Sequence, residues 1–339
     1  MDLNTFLTTL YVWVDDWYKA YLQETMRRRG GGKPQMSDSE VLTVAVAAQW
    51  RVGVPWQSER GVVRYMQEHG RGWFPTMLGH SAFNERVRLL WGAFVQLQQI
   101  AADVLQAGRE PYVSVDCDPL PSCSLAQAAR YKQHWLNQSR LGRGGNHGGW
   151  FFGDQVLAAV TPSGVVTGWL LGAADLDDRW MLEAFVSTRA GQPQLQAPPY
   201  RSRDAYADRN PPPEDHHLRG LVAAGKRTGQ PYVADRGFNG ARWRLHWQTL
   251  YGADVITVPP DNVAHPWSKD WKRWLAHHRQ IVDTVFARLD ETFAFKRLNA
   301  HSYWGQLTRV AAKMAAYNLG ILLNRLLDRP DGALATLIC

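Results

Sequence analysis

The sequence predicts a two-part protein of the α/β class: an all-helical N-terminal domain, then a mixed sheet flanked by helices. Three observations carry this. Residues 1 to about 110 repeat apolar positions at spacings of three and four with no sustained alternation. From Pro111 the texture changes to short β-prone runs bounded by Gly and Pro. Helical periodicity then resumes to about Leu327. The chain has 339 residues, 45% of them hydrophobic, which is enough for about two domains and excludes wholesale disorder.

The elements follow in order. Ser37-Asp38-Ser39-Glu40 before Val41, Leu42 and Val44 predicts a capped helix start, with the Ser37 hydroxyl and the Glu40 carboxylate capping reciprocally. The basic, glycine-rich segment ahead of it, Arg27 to Pro34, reads as a solvated linker. Tyr112 to Asp116 predicts a strand, and Gln155 to Val160 with Val165 to Leu171 predicts a hairpin turning at Thr161-Pro162-Ser163-Gly164. Asp178 to Arg189 has a helical pattern, and the Pro- and Gln-rich stretch Gln192 to Pro213 reads as an exposed insertion. Pro231 to Asp235 and Asp254 to Val258 predict two more strands. The resulting division is a helical domain over 1–110, a sheet domain over 111–327 with insertions near 190–219 and 259–277, and a C-terminal tail over 328–339.

Composition narrows the function classes. Lys and Arg number 38 against 31 Asp and Glu, a net charge of +7, so a polyanion is the natural partner. Cys117, Cys123 and Cys339 are too few for a disulfide framework and lack a zinc-site spacing, which points to a reducing, cytoplasmic compartment. Met1 to Gln23 carries Asp15, Asp16 and Lys19 and reads as a mature helix, not a leader. Val310 to Leu323 is interrupted by Lys313 and Asn318 and falls short of the roughly 20 residues that span a bilayer, so no membrane partner is expected. Gly142 to Gly149 lacks the Gly-Lys-Ser/Thr ending of a phosphate loop and reads as a basic loop, so no nucleotide cofactor is expected. Ser114, Ser122 and Ser124 have no nucleophile elbow, and His277-His278, His216-His217 and Glu214-Asp215 read as surface pairs.

Chemistry concentrates on two aspartates. In Tyr112 to Pro119, Val113, Val115 and Cys117 share one face of the expected strand, and Ser114, Asp116 and Asp118 share the other. In Tyr232-Val233-Ala234-Asp235-Arg236-Gly237 an apolar strand delivers Asp235 to a tight turn. Two strand-terminal carboxylates in a basic protein suggest a divalent-metal site, because hard cations take oxygen ligands and couple to phosphate chemistry.

These residues resemble the bacterial insertion-sequence transposases of the D-D-E class, whose catalytic domain has the RNase H-like fold. The resemblance rests on Val115-Asp116 with Pro119-Leu120-Pro121, the hairpin Gly153 to Leu171, Ala234-Asp235-Arg236-Gly237-Phe238, and Arg279-Gln280-Ile281-Val282-Asp283-Thr284-Val285-Phe286. It also includes Asn318 in Lys313 to Leu319, and covers roughly Tyr112 to Leu327. The family places an Arg four residues before its third acid, as Arg279 stands before Asp283. Two departures are an Asp in place of the usual Glu, and Asp290 where the family has a basic residue seven positions further on.

The resemblance implies that Asp116, Asp235 and Asp283 are catalytic and hold two Mg²⁺ ions, with Mn²⁺ as a substitute. The ions would lie about 4 Å apart, one activating water or a 3′ hydroxyl and the other stabilising the leaving oxygen. It further implies a homodimer on double-stranded DNA, with inverted-repeat ends and target as substrates, in the bacterial nucleoid. Arg279, Arg236, Lys269, Lys272, Arg273 and Trp271 are the expected DNA contacts, and the helical residues 1–110 the expected reader of the element ends.

Two details of the late helix follow from its periodicity. Val282, Val285, Phe286 and Leu289 cluster within roughly 100° of arc and predict the packed face, with Asp283, Arg279 and Asp290 on its flank and Glu291 facing solvent. Trp267, Trp271 and Trp274 recur at helical spacing among Lys269, Lys272 and Arg273, which predicts at least two of the three rings in the core. Two alternatives keep parts of this reading: a metal-dependent nuclease of the same fold without strand transfer, and a catalytically inactive relative that binds DNA.

Overall fold

The computed structural model describes residues 1–24, 34–128, 139–144, 149–192, 229–259, 267–300 and 302–339. Most of the basic segment Arg27 to Pro34, most of the insertion expected near 190–219 and the pairs Glu214-Asp215 and His216-His217 lie outside the described residues. In chain order the helices are α1 (Leu3–Trp17), α2 (Asp38–Ala47), α3 (Glu59–His69), α4 (His80–Leu89), α5 (Trp91–Val104), the single turn α6 (Leu125–Ala128), α7 (Asp178–Arg189), α8 (Ala241–Tyr251), α9 (Lys269–Phe293) and α10 (Tyr303–Leu326). The strands are β1 (Val113–Cys123), β2 (Arg140–Arg143), β3 (Trp150–Val160), β4 (Val166–Ala173), β5 (Tyr232–Ala234) and β6 (Val255–Thr257). They form two compact units, residues 1–105 with 287–339, and residues 106–286.

The helical unit is larger than the sequence indicates. Its start at α2 is as expected: Glu40 N donates to Ser37 Oγ at 3.2 Å, and Ser37 N donates to Glu40 Oε2 at 2.6 Å. The difference lies in α10, assigned from sequence to the sheet domain, which instead packs against α5 and α2. The physical reason is that α10 is almost wholly buried from Gln306 to Asn324, with apolar residues on every side among a few polar ones, so it needs helices around it. Asn318 is buried there, its Nδ2 donating to Gln98 O of α5 at 3.0 Å. The expected tail over 328–339 is also part of this unit: Leu334, Leu337 and Ile338 are buried, and the N-terminal amine of Met1 donates to Leu337 O at 2.7 Å.

The second unit is a mixed sheet in the order β2-β3-β1-β5-β6, with β4 also paired to β3. β3 pairs antiparallel with β1, β2 and β4, whereas β1, β5 and β6 run parallel. The β3–β4 hairpin turns where expected, with Gly164 at φ 88, a conformation that favours glycine. β2 lies in what reads from sequence as a loop: too short and glycine-containing to signal a strand, it is held by its partner β3. One sheet face, with Val113, Val115, Leu157 and Leu170, packs into a core with Trp180, Met181 and Phe185 of α7 and Trp243 and Trp247 of α8. The other face carries Ser114, whose Oγ donates to His278 O of α9 at 3.0 Å.

One feature of β1 places the site. β5 pairs with β1 only over Val113 to Val115, while β3 follows β1 to Cys123. The strand therefore does not end at Asp116, as its sequence suggests, but loses one neighbour there. Val113 N donates to Pro231 O at the start of β5, so the amides of alternate residues after it face the same side. Pro119 and Pro121 fall on that side, where no ladder hydrogen bond is lost.

Candidate active site

The backbone register brings the first two acids together. Val115 of β1 is paired with Ala234 of β5, so Asp116 and Asp235 leave adjacent parallel strands at the same level. Each carboxylate is fixed at one oxygen by the main chain: Asp116 Oδ1 accepts from Cys117 N at 2.8 Å, and Asp235 Oδ1 accepts from Gly237 N at 2.6 Å. Each turns its other oxygen to the same guanidinium nitrogen, Arg279 Nη1, at 3.4 Å for Asp116 and 3.3 Å for Asp235. The two oxygens can then be no farther apart than those distances laid end to end, within reach of cations bridged by oxygen ligands.

α9 supplies Arg279 because its packed face is the expected one. Val282, Val285, Phe286 and Leu289 are all buried, and the Ser114–His278 hydrogen bond ties the preceding turn to β1. Asp283, one turn after Arg279, is exposed yet near enough to act on Asp116. Burial pushes the Asp116 carboxyl up to about 7, helped by the charges of Asp235 and Asp283 and opposed by the Cys117 N–H and Arg279. Asp290 and Glu291 belong to the helical unit, and both are exposed.

Sequence reasoning missed Asp178. It stands in the first turn of α7, after Asp177, whose side chain caps the helix by accepting from Arg179 N at 3.0 Å. With capping done by one aspartate, the other turns inward, where it accepts a hydrogen bond from the Cys117 thiol. Burial, Asp235 and Asp177 push the Asp178 carboxyl up to about 6. Burial and then Asp178 likewise hold the Cys117 thiol well above its ordinary value. A side chain at Gly237 would collide with Asp178 Oδ2 and lie 3.0 Å from Asp235 Oδ1, so the two carboxylates crowd one glycine. The doubled Asp177-Asp178 at a helix start was the available signal.

The expected DNA contacts divide. Arg236 is exposed in the turn after β5, next to Asp235. Lys269 and Arg273 are exposed on the first turns of α9, and Lys272 is half-buried. α9 begins at Lys269, so the part of the insertion expected near 259–277 that is described past that point is regular helix. The Trp stripe is not in the core: Trp271 is 60% and Trp274 37% exposed, Trp267 is half-buried ahead of the helix, and Leu275 is the buried residue of this turn. Trp274 stacks on His278 with centroids 4.1 Å apart and meets Trp271 edge to face at 5.7 Å.

The donor set suits a hard cation. Two carboxylates with main-chain-fixed oxygens face a common point, and the guanidinium of Arg279 stands there as the positive charge. Among the described residues, no three His, Cys, Asp or Glu side chains converge closely enough to hold a metal ion. No helix among them is long and apolar enough to cross a membrane. No known family model, curated protein or solved structure matches the chain.

Proposed function

We propose that the protein is a D-D-E type DNA transposase with an RNase H-like catalytic unit, cleaving strands at insertion-sequence ends and joining them to target DNA. The observation that carries this reading is the convergence of Asp116 and Asp235 from neighbouring parallel strands on Arg279, with Asp283 one helical turn beyond. The element order of strand, hairpin, helix, strand, strand and helix supports the fold assignment. The exposed Lys269, Trp271 and Arg273 support a nucleic-acid partner, since a basic helix face can track phosphates while an exposed ring stacks on a base.

Asp116, Asp235 and Asp283 would hold Mg²⁺ or Mn²⁺, which when bound supplies the charge that activates an oxygen nucleophile and stabilises the leaving oxygen at phosphorus. The chain's own residues do the rest. The Cys117 and Gly237 amides hold the carboxylates in orientation. Arg279, a flat fork of donors, is suited to a non-bridging phosphate oxygen. Double-stranded DNA and a second copy of the chain are the proposed partners. The test is Mg²⁺-dependent scission and joining of end-containing DNA: activity abolished by Asp116→Asn supports the proposal, and scission without joining leaves the nuclease. The lack of three converging acids among the described residues favours a second reading, the inactive DNA-binding relative, which predicts no scission at any Mg²⁺ concentration.

A further inference from the structure

The helical unit contains a cavity of about 650 Å³ that none of the above uses. Its walls come from the segment between α2 and α3, the starts of α3 and α4, the end of α9 with the loop after it, and α10. Four arginines and a lysine line it, Arg51, Arg60, Arg297, Arg309 and Lys313, together with His80. Two of its three acids are already engaged. Glu59 is 3.6 Å from both Arg309 Nη2 and His80 Nε2, and Asp290 Oδ1 accepts from Lys296 N at 2.9 Å. Glu291, the third, is exposed at the rim.

The unusual member is Lys313. It is 2% exposed, and its ammonium donates to the carbonyl of Phe293. Arg51 likewise donates to the carbonyls of Ala48 and Trp50. Among the described residues neither is paired with a carboxylate. Burial lowers the Lys313 amine well below its ordinary value, and Arg51 and Arg309 lower it further against the pull of Asp290. Main-chain carbonyls alone are poor compensation for a buried ammonium, and an apolar side chain would fill this position at less cost. Four arginines and a lysine around one open cavity, with Glu59 and Asp290 of its wall already engaged, make a surface suited to an anion, whose charge would favour the protonated form of Lys313.

We propose that this cavity binds a phosphate group, Lys313 and Arg51 meeting its oxygens from the floor and Arg297 from the rim. Guanidinium forks match phosphate, and the volume admits the group together with an attached sugar. The preference for phosphate over carboxylate rests on the transposase reading; the anion site itself rests on the cavity alone.

The experiment titrates the full-length protein with inorganic phosphate, a 5′-phosphorylated single-stranded tetranucleotide, and the same oligonucleotide with a 5′ hydroxyl, following heat release and melting temperature. At least one should bind and stabilise the protein, and the tightest identifies the source as a free anion, a strand terminus or a backbone diester. Lys313→Met should weaken binding about ten-fold or more while leaving the melting temperature equal or higher. Arg297→Ala, at an exposed position, should weaken it without unfolding and decides the matter if the first variant does not fold. Asp116→Asn should bind as the unaltered protein does, which separates this site from the catalytic proposal. Absence of binding by all three probes, or binding unchanged in the Lys313 and Arg297 variants, overturns it.

Discussion

Asp116 and Asp235 are held alike: in each, a main-chain amide fixes one carboxylate oxygen and Arg279 Nη1 faces the other, at 3.4 and 3.3 Å. This makes Arg279 the internal counter-ion of a pair that would otherwise repel. A divalent cation bound at the proposed site would compete with it for the same two oxygens.

Stability without added metal should therefore depend on pH in a definite direction. The Asp116 carboxyl is raised from 3.8 to about 7, so between those values the native protein binds more protons than the unfolded chain. Its contribution is complete below 3.8 and is lost as pH rises through about 7. Melting temperature should fall across that window, and Asp116→Asn should reduce the fall to the part that Asp178, raised to about 6, still contributes. Mg²⁺ should stabilise the protein more above about pH 7 than below it. A melting profile with the same slope in the variant would refute the assignment.

Of the late acids, Asp283 is the one the proposed site uses. Its charge acts on Asp116, and α9 holds it one turn beyond Arg279. Asp283→Ala should reduce cleavage by more than the 10- to 100-fold typical of groups that only support a metal ligand. Glu291→Ala should stay within about two-fold, as for most surface changes. Single-turnover cleavage assays on folded variants give the comparison, and the reverse ranking would overturn it.

Gly237→Ala tests the crowding of Asp178 and Asp235. The added methyl must displace one carboxylate, so cleavage should drop by about ten-fold or more, at a stability cost of about 1–3 kcal/mol typical of overpacking. Cleavage at the unaltered rate with normal folding would show that the two carboxylates have no shared geometry to disturb.

Glu183 should be among the costliest positions in the sheet unit. It is wholly buried in α7, with Oε2 3.1 Å from His246 Nε2 and accepting from Trp247 Nε1 at 2.9 Å, and Oε1 accepting from Tyr251 OH at 2.6 Å, all on α8. Glu183→Ala would strand those donors and should lower the unfolding free energy by about 3–5 kcal/mol, read from the shift in denaturant midpoint. Glu183→Gln, which keeps an acceptor, should cost less. Equal midpoints for the two would show that packing, not the hydrogen bonds, joins the helices.

Legibility in the sequence followed the range of each interaction. The Ser37 cap, the Gly164 turn and the buried face Val282 to Leu289 are local patterns and could be read directly. So could the strand run ending at Ala234 that delivers Asp235. The surroundings of α10 could not: apolar residues on every side say that a helix is buried, not by what. Trp271 and Trp274 misled because hydrophobicity at helical spacing reads as core whether or not a sheet covers it. Asp178 was silent because only the fold decides which of two adjacent aspartates caps the helix.

The prolines of β1 have one more consequence. Along the margin that β5 abandons, Pro119 and Pro121 offer no amide hydrogens. A foreign peptide strand, or a second copy of this sheet, finds no ladder to extend beside Asp116, so the margin resists the edge-to-edge aggregation that open sheets invite. Among the described residues, a substrate approaching this margin meets side chains and main-chain carbonyls, but no amide hydrogen from Pro119 or Pro121.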